Sequence, residues 1–230
     1  MLLYSHPRLR AALAFRGGTA LNKLFFSPAT RYSEDIDFVQ VFQAPIGSII
    51  DDIRELLDSW LGEPRREFSD GRVCLTYRRT SSEGFPIKLK VEINSREHFS
   101  VLGLHEYPFV FSTSWEKSMV QIRSYKLEEL LGTKMRALYQ RRKGRDLFDL
   151  YTALTRISNL NHGDIIHCFS EYMKFGGHSI SKTLFLENME EKMKNKLFLE
   201  DMKPLLPKFG ESFNLEAAYS SVKSHLLDHM

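Results

Sequence analysis

Cysteine is nearly absent from this chain: 230 residues carry two, Cys74 and Cys168. They lie far apart and outside any C-x-x-C pattern, which argues against a disulfide scaffold or a structural zinc site and fits a reducing cytosol. Also missing is any run of about 18 apolar residues, so no membrane-spanning helix is expected. The opening stretch, MLLYSHPRLRAALAF, lacks the continuous apolar core and small-residue cleavage site of a secretory leader. There is no internal repeat and no low-complexity tract. The eight histidines show no H-E-x-x-H spacing, and His225 and His229 have no third ligand near them in sequence. An excess of one charge is missing too: 32 Lys and Arg against 29 Asp and Glu leave a formal +3, too mild to demand a nucleic-acid partner. What remains is an ordinary globular composition, 43% hydrophobic, long enough for one large domain or two small ones. A cytoplasmic protein is expected.

The apolar pattern divides the chain. Leu13 to Arg16 reads as a short strand end, Gly17-Gly18 breaks the chain, and Ala20, Leu21, Leu24 and Phe25 give a helix from Thr19 an apolar face until Pro28 stops it. Ile36 to Phe42 is strand-like, with Asp35, Asp37 and Val39 on one side and Ile36 and Phe38 on the other. Asp51 to Leu61 reads as a helix ended by Gly62 and Pro64. Val73 to Arg79 and Phe85 to Asn94 alternate as strands; in the second, Ile87, Leu89, Val91 and Ile93 oppose Lys88, Lys90, Glu92 and Asn94. An irregular stretch rich in Phe and Tyr follows, and from Ser124 the pattern is helical to Met230. The expectation is an α+β fold: strands with helices over 1–118, then an all-helical part over 119–230.

The chemistry concentrates in FRGGTALNKLFFSPATRYSEDIDFVQ, Phe15 to Gln40. Asp35 and Asp37 are two apart on a predicted strand, so their carboxylates share a face at roughly 6.5–7 Å between Cα atoms. Carboxylates that close repel unless protonated or neutralised by a cation. Mg²⁺ prefers such oxygen ligands and usually shares them with substrate phosphates. Gly17-Gly18 lets backbone approach a ligand closely, and a helix start at Thr19 offers amides to an anion. A D-x-D pair by itself is more often a solvated strand face. Glycine turn, helix start and paired acids, in this order, describe a nucleoside-triphosphate site.

At this point GGTALNK followed by RYSEDIDF resembles the signature of the AbiEii (MenT-like) toxins. These are nucleotidyltransferases of the DNA polymerase β superfold, found in bacterial type IV toxin–antitoxin systems. The resemblance extends more loosely through KMRALYQRRKGRDLFDLYTAL and so covers most of residues 13–155. The family usually carries a further helical segment ahead of the glycine motif, where this chain has only residues 1–14; it reads as a short member or a truncated product. The resemblance implies a polymerase-β-like fold, a mixed sheet with flanking helices, with Mg²⁺ (Mn²⁺ as a substitute) on Asp35 and Asp37 and NTP contacts from Gly17, Gly18, Thr19 and Lys23. It also implies contacts to phosphate from Arg31 and Ser33, whose plainer roles are a surface arginine and a turn serine. A tRNA 3′ end as acceptor, arrest of translation and a separately encoded antitoxin as partner follow from the resemblance alone.

Glu92 is the candidate third carboxylate. It stands on the polar face of its strand, and the superfold places a further acid on a later strand; the alternative is a solvated face paired with Lys88 and Lys90. Lys134 falls inside the apolar stripe of Leu127, Leu130, Leu131 and Leu138, where a lysine commonly snorkels; the resemblance implies instead a lysine that meets nucleotide phosphates. Asp146 and Asp149 match the family's RDLFDL motif, Asp146 being the stronger catalytic candidate, with first-turn helix capping as the alternative. Arg141, Arg142, Lys143 and Arg145 form the dense basic run, either a solvated face or a hold on an acceptor RNA backbone. The reading is a nucleotidyltransferase. Its rivals are transfer to a protein or small-molecule hydroxyl, a non-catalytic nucleotide- or RNA-binding module, and a purely structural α+β protein.

Overall fold

The computed structural model describes residues 1–33, 35–112, 117–206 and 213–230; about 48% of the described residues are helical and 23% strand. It divides into two compact units, Met1–Phe25 with Ser33–Tyr125, and Phe26–Tyr32 with Lys126–Met230. The expected division after residue 118 falls inside a strand that runs on to Tyr125. The expectation of two contiguous pieces also fails at Phe26–Tyr32, which belongs with the helices.

In the first unit, α1 (Leu2–Ser5) and α2 (Pro7–Ala12) lead into β1 (Leu13–Arg16). Pro7 opens α2, where its missing amide costs nothing. The helix expected from Thr19 starts two residues earlier, as α3 (Gly17–Ala20), and continues as a π-helical turn, Leu21–Phe25. Then come β2 (Asp35–Gln40), α4 (Gly47–Leu61), β3 (Arg65–Ser69), β4 (Arg72–Thr80), β5 (Pro86–Asn94), β6 (Leu104–Ser112) and β7 (Lys117–Tyr125). Helix α4 buries Ile49, Ile50, Ile53, Leu57 and Leu61, the stripe its spacing dictates.

The seven strands form one mixed sheet in the order β3-β4-β5-β2-β1-β7-β6. β1 pairs antiparallel with β2 and parallel with β7, while β2 pairs parallel with β5. Paired residues share a face, so Phe15, Phe38, Val91, Ile93 and Ile122 fall together on one side and are buried. Ile87, expected on this apolar face, is 42% exposed. β2 reaches β5 only from Lys90 onward, so the outer end of the β4–β5 hairpin has no third strand over it. β3, β6 and β7 were not legible as strands. β3 is exposed throughout and β6 nearly so, and each forms an edge of the sheet, where the alternation that marks a half-buried strand is lost.

The second unit holds α5 (Leu127–Gln140), α6 (Gly144–Arg156), α7 (His162–Phe175), α8 (Lys182–Lys192), α9 (Lys196–Glu200), α10 (Leu215–His225) and a closing 3₁₀ turn, Leu227–His229. Its core gathers Leu130, Leu138, Leu150, Ile165, Phe169, Phe185 and Phe198. Asparagine or serine side chains cap α7, α8, α9 and α10, each accepting an amide N–H from the first turn. Among the described residues no helix is long and apolar enough to cross a membrane.

Candidate active site

The sheet brings the predicted carboxylates together by register. In the parallel β2–β5 ladder Asp35 stands opposite Lys90 and Asp37 opposite Glu92. Alternation then places Asp35, Asp37, Lys90 and Glu92 on one face, opposite to Phe38 and Val91. All four are partly exposed. On the other side of β2, Arg16 is the register partner of Asp37, and its guanidinium donates to Glu97 at 2.6 Å.

Gly17 packs directly against this face. Gly17 has φ +78°, the left-handed region that favours glycine, and a Cβ there would fall on the carboxylate of Asp37. Asp37 therefore occupies room that only a glycine leaves. Gly18 is buried. Thr19 fastens the start of β2: its hydroxyl lies 2.6 Å from Ser33 Oγ and donates to the carbonyl of Asp35. Lys23 is exposed on the π-helical turn, at the rim of an apolar cavity of about 330 Å³ lined also by Thr19, Ile36, Leu57 and Leu89.

Lys90, which sequence reasoning offered as a charge partner of Glu92 on a solvated face, is paired with it. Its ammonium donates to Glu92 Oε1 and lies 3.8 Å from Asp35 Oδ2. Burial disfavours its charge, yet the hydrogen bond to Glu92 and the charges of Glu92 and Asp35 hold its pKa above the ordinary lysine value. Arg72 approaches the other oxygen of Glu92 at 3.9 Å. The donor set is of hard oxygens on one face of the sheet, which suits Mg²⁺ or Mn²⁺. Among the described residues no three His, Cys, Asp or Glu side chains already converge as a cation cage. The face thus has the chemistry a divalent cation needs, with a lysine now supplying the counter-charge.

The helical unit uses its predicted residues differently. Arg31, expected to touch phosphate, is buried, and its Nε and Nη2 each donate to Asp149 at 2.7 Å, while Nη1 donates to the carbonyl of Tyr32. Lys134 does not snorkel: it is buried between Asp146 at 3.1 Å and Asp149 at 2.8 Å. Asp146 also receives Arg141 Nε and Nη2 at 2.7 and 2.8 Å. Burial opposes the charge on both aspartates. The neighbouring cations outweigh it, Lys134 foremost, holding Asp146 at about 2 and Asp149 below the usual carboxylate range. The basic run is largely consumed within the unit. Arg141 is on Asp146, Lys143 and Arg145 lie 3.4 and 3.5 Å from Asp201, and Arg142 is exposed.

Solved structures share this architecture. MenT4, a nucleotidyltransferase toxin of Mycobacterium tuberculosis H37Rv, superposes with a TM-score of 0.68 at 16% identity, over 100% of this chain and 81% of its own. A candidate nucleotidyltransferase from H. pylori gives 0.58 at 19%, over 93% and 84%. JHP933 from Helicobacter pylori gives 0.52 at 18%, over 93% and 82%. At these identities the likeness is one of fold, and the fold is that of the nucleotidyltransferases. None of the curated proteins compared with the chain matches it. The family model described as nucleotidyl transferase AbiEii toxin, type IV TA system, matches residues 1–220, and the chain belongs to that family.

Proposed function

We propose that this toxin-family nucleotidyltransferase moves a nucleoside monophosphate from an NTP to an acceptor hydroxyl, the 3′ end of tRNA, and so blocks translation in the cytoplasm. A separately encoded antitoxin is its partner. The observation that carries the reading is the β2–β5 register, which sets Asp37 beside Glu92 while Gly17 leaves room for the Asp37 carboxylate.

Asp35, Asp37 and Glu92 would hold Mg²⁺, or Mn²⁺ in its place. Bound there, the cation would supply neutralisation of charge on the triphosphate. Asp37 is kept in place by the contact with Gly17, and Asp35 by the Thr19 hydroxyl on its carbonyl. Glu92 is the group suited to take the acceptor hydroxyl proton once Lys90 no longer holds it. Gly17, Gly18, Thr19, Ser33 and Lys23 form the polar margin assigned to the NTP. Lys134 and Asp146, to which the resemblance assigns catalytic roles, pair with each other inside the helical unit, and a phosphate contact by Lys134 requires it to leave two carboxylates. Arg142 is the part of the basic run left for an RNA backbone.

The test is incubation of the purified protein with each labelled NTP, Mg²⁺, and either total tRNA or whole-cell protein. Label is expected in the tRNA pool, and lost in Asp35→Ala/Asp37→Ala. Absence of Mg²⁺-dependent transfer to any acceptor refutes the enzymatic reading; transfer to protein alone refutes the acceptor.

A further inference from the structure

We propose that Lys90 is an internal cation that competes with a divalent metal for the carboxylate face, so that metal binds well only together with a triphosphate. The inference rests on the reading of Asp35, Asp37 and Glu92 as the metal-holding residues.

The parallel register makes a four-cornered arrangement of Asp35 beside Lys90 and Asp37 beside Glu92, three corners acidic and one basic. The basic corner is engaged with two of the others: its ammonium donates to Glu92 and stands 3.8 Å from Asp35. Lys88, two residues earlier on the same face, lies opposite Arg78 and before the point where β2 joins β5, so it cannot take this place. Arg72 approaches Glu92 at 3.9 Å.

A divalent cation that reaches Asp35 and Glu92 must displace the ammonium, because like charges at that separation repel. Metal alone therefore meets a bound competitor. A metal that arrives with a triphosphate brings several negative charges, and the lysine's flexible four-carbon stem lets its head turn from carboxylate to phosphate oxygen. Lys90 then changes partner rather than losing one. The result is positive coupling between metal and triphosphate, which by linkage is reciprocal. A merely structural lysine would move stability and leave metal affinity alone.

The test measures Mn²⁺ binding to the full chain by the loss of its free electron-paramagnetic signal, for wild type, Lys90→Met, Lys90→Gln and Lys90→Arg. Thermal shifts of the same proteins are then taken with Mn²⁺ alone and with Mn²⁺ plus inorganic tripolyphosphate. Lys90→Met and Lys90→Gln are expected to bind Mn²⁺ alone about tenfold tighter, within the usual range of coupling, and to gain little more from tripolyphosphate. Lys90→Arg is expected to follow wild type. Unchanged or weaker Mn²⁺ binding in both uncharged variants, beside a wild type that binds Mn²⁺ with tripolyphosphate, overturns the role of Lys90 and leaves the carboxylate site standing. A wild type and variants that bind no Mn²⁺ under either condition overturn both.

Discussion

Replacing Asp149 by asparagine tests the helical unit at its most charged point. The carboxylate is fully buried and receives Arg31 through two bonds of 2.7 Å and Lys134 at 2.8 Å. Asparagine keeps the volume, so no cavity opens and the loss is electrostatic. Removing one partner of a buried ion pair typically costs about 3–5 kcal/mol, a large share of the ~5–15 kcal/mol that holds a domain folded. Lys134 keeps Asp146 at 3.1 Å, so the stranded charge is chiefly that of Arg31. Adding Arg31→Met removes that charge, and the double variant is expected to be more stable than Asp149→Asn alone. Urea unfolding at neutral pH, followed by far-UV circular dichroism, reads the difference. A loss below about 1 kcal/mol for Asp149→Asn, with simple additivity in the double variant, would refute the picture of a desolvated network.

Acid reads the same network through Asp146. Its pKa falls from 3.8 in the unfolded chain to about 2 in the folded protein, worth about 2.5 kcal/mol at ~1.4 kcal/mol per pH unit. Because the folded value is the lower one, this stability is complete above about pH 5 and drains away as pH falls through 3.8 towards 2. Melting curves of Asp146→Asn should therefore flatten in that acid window relative to wild type; parallel curves would contradict the assignment. Gly17→Ala must adopt φ +78° at a cost of about 1–2 kcal/mol and push Asp37 aside. Nucleotidyl transfer should fall about 100-fold, as for a misplaced reacting group, while the chain stays folded; wild-type activity would remove Gly17 from the site. Asp37→Asn should abolish transfer and shift the melting temperature little, and retained transfer in the labelling assay would count against its role.

The face of the sheet was legible because it obeys a period of two. FPIKLKVEIN alternates cleanly and Asp35-Ile36-Asp37-Phe38 does so over four residues, and the register that joins them sets Glu92 beside Asp37. The partner strand's direction was not legible, since alternation is the same for parallel and antiparallel ladders. The pairing of Lys90 with Glu92, two residues apart on one strand face, was open to the alternation; the approach of Lys90 to Asp35 depends on the register and on side-chain reach, which no periodicity encodes. In the helical unit the RDLFDL aspartates stood out. Arg31 lies 118 positions from the carboxylate that holds it, so sequence could offer only its charge and its place before Ser33. The same holds for Lys192, buried on α8, whose ammonium closes the last carbonyls of α5, including Tyr139 O at 2.6 Å. Its signal in sequence is one more lysine in a polar helix.

The segment Phe26–Tyr32 sits, in chain order, between the glycine turn and the paired aspartates, yet it belongs with the helices that follow residue 125. Its Arg31 is held by Asp149 and its Tyr32 amide donates to Leu205 O at 2.9 Å. The two units are therefore not modules that a gene could gain, lose or exchange by joining at one point. A fragment ending at Tyr125 would carry off a buried arginine without its acid, and a fragment starting at Lys126 would leave Asp149 without its guanidinium. Insertions between the two sequence motifs are likewise constrained from both ends. The polypeptide threads the helical unit before it completes the sheet, which makes the pair heritable only as a whole.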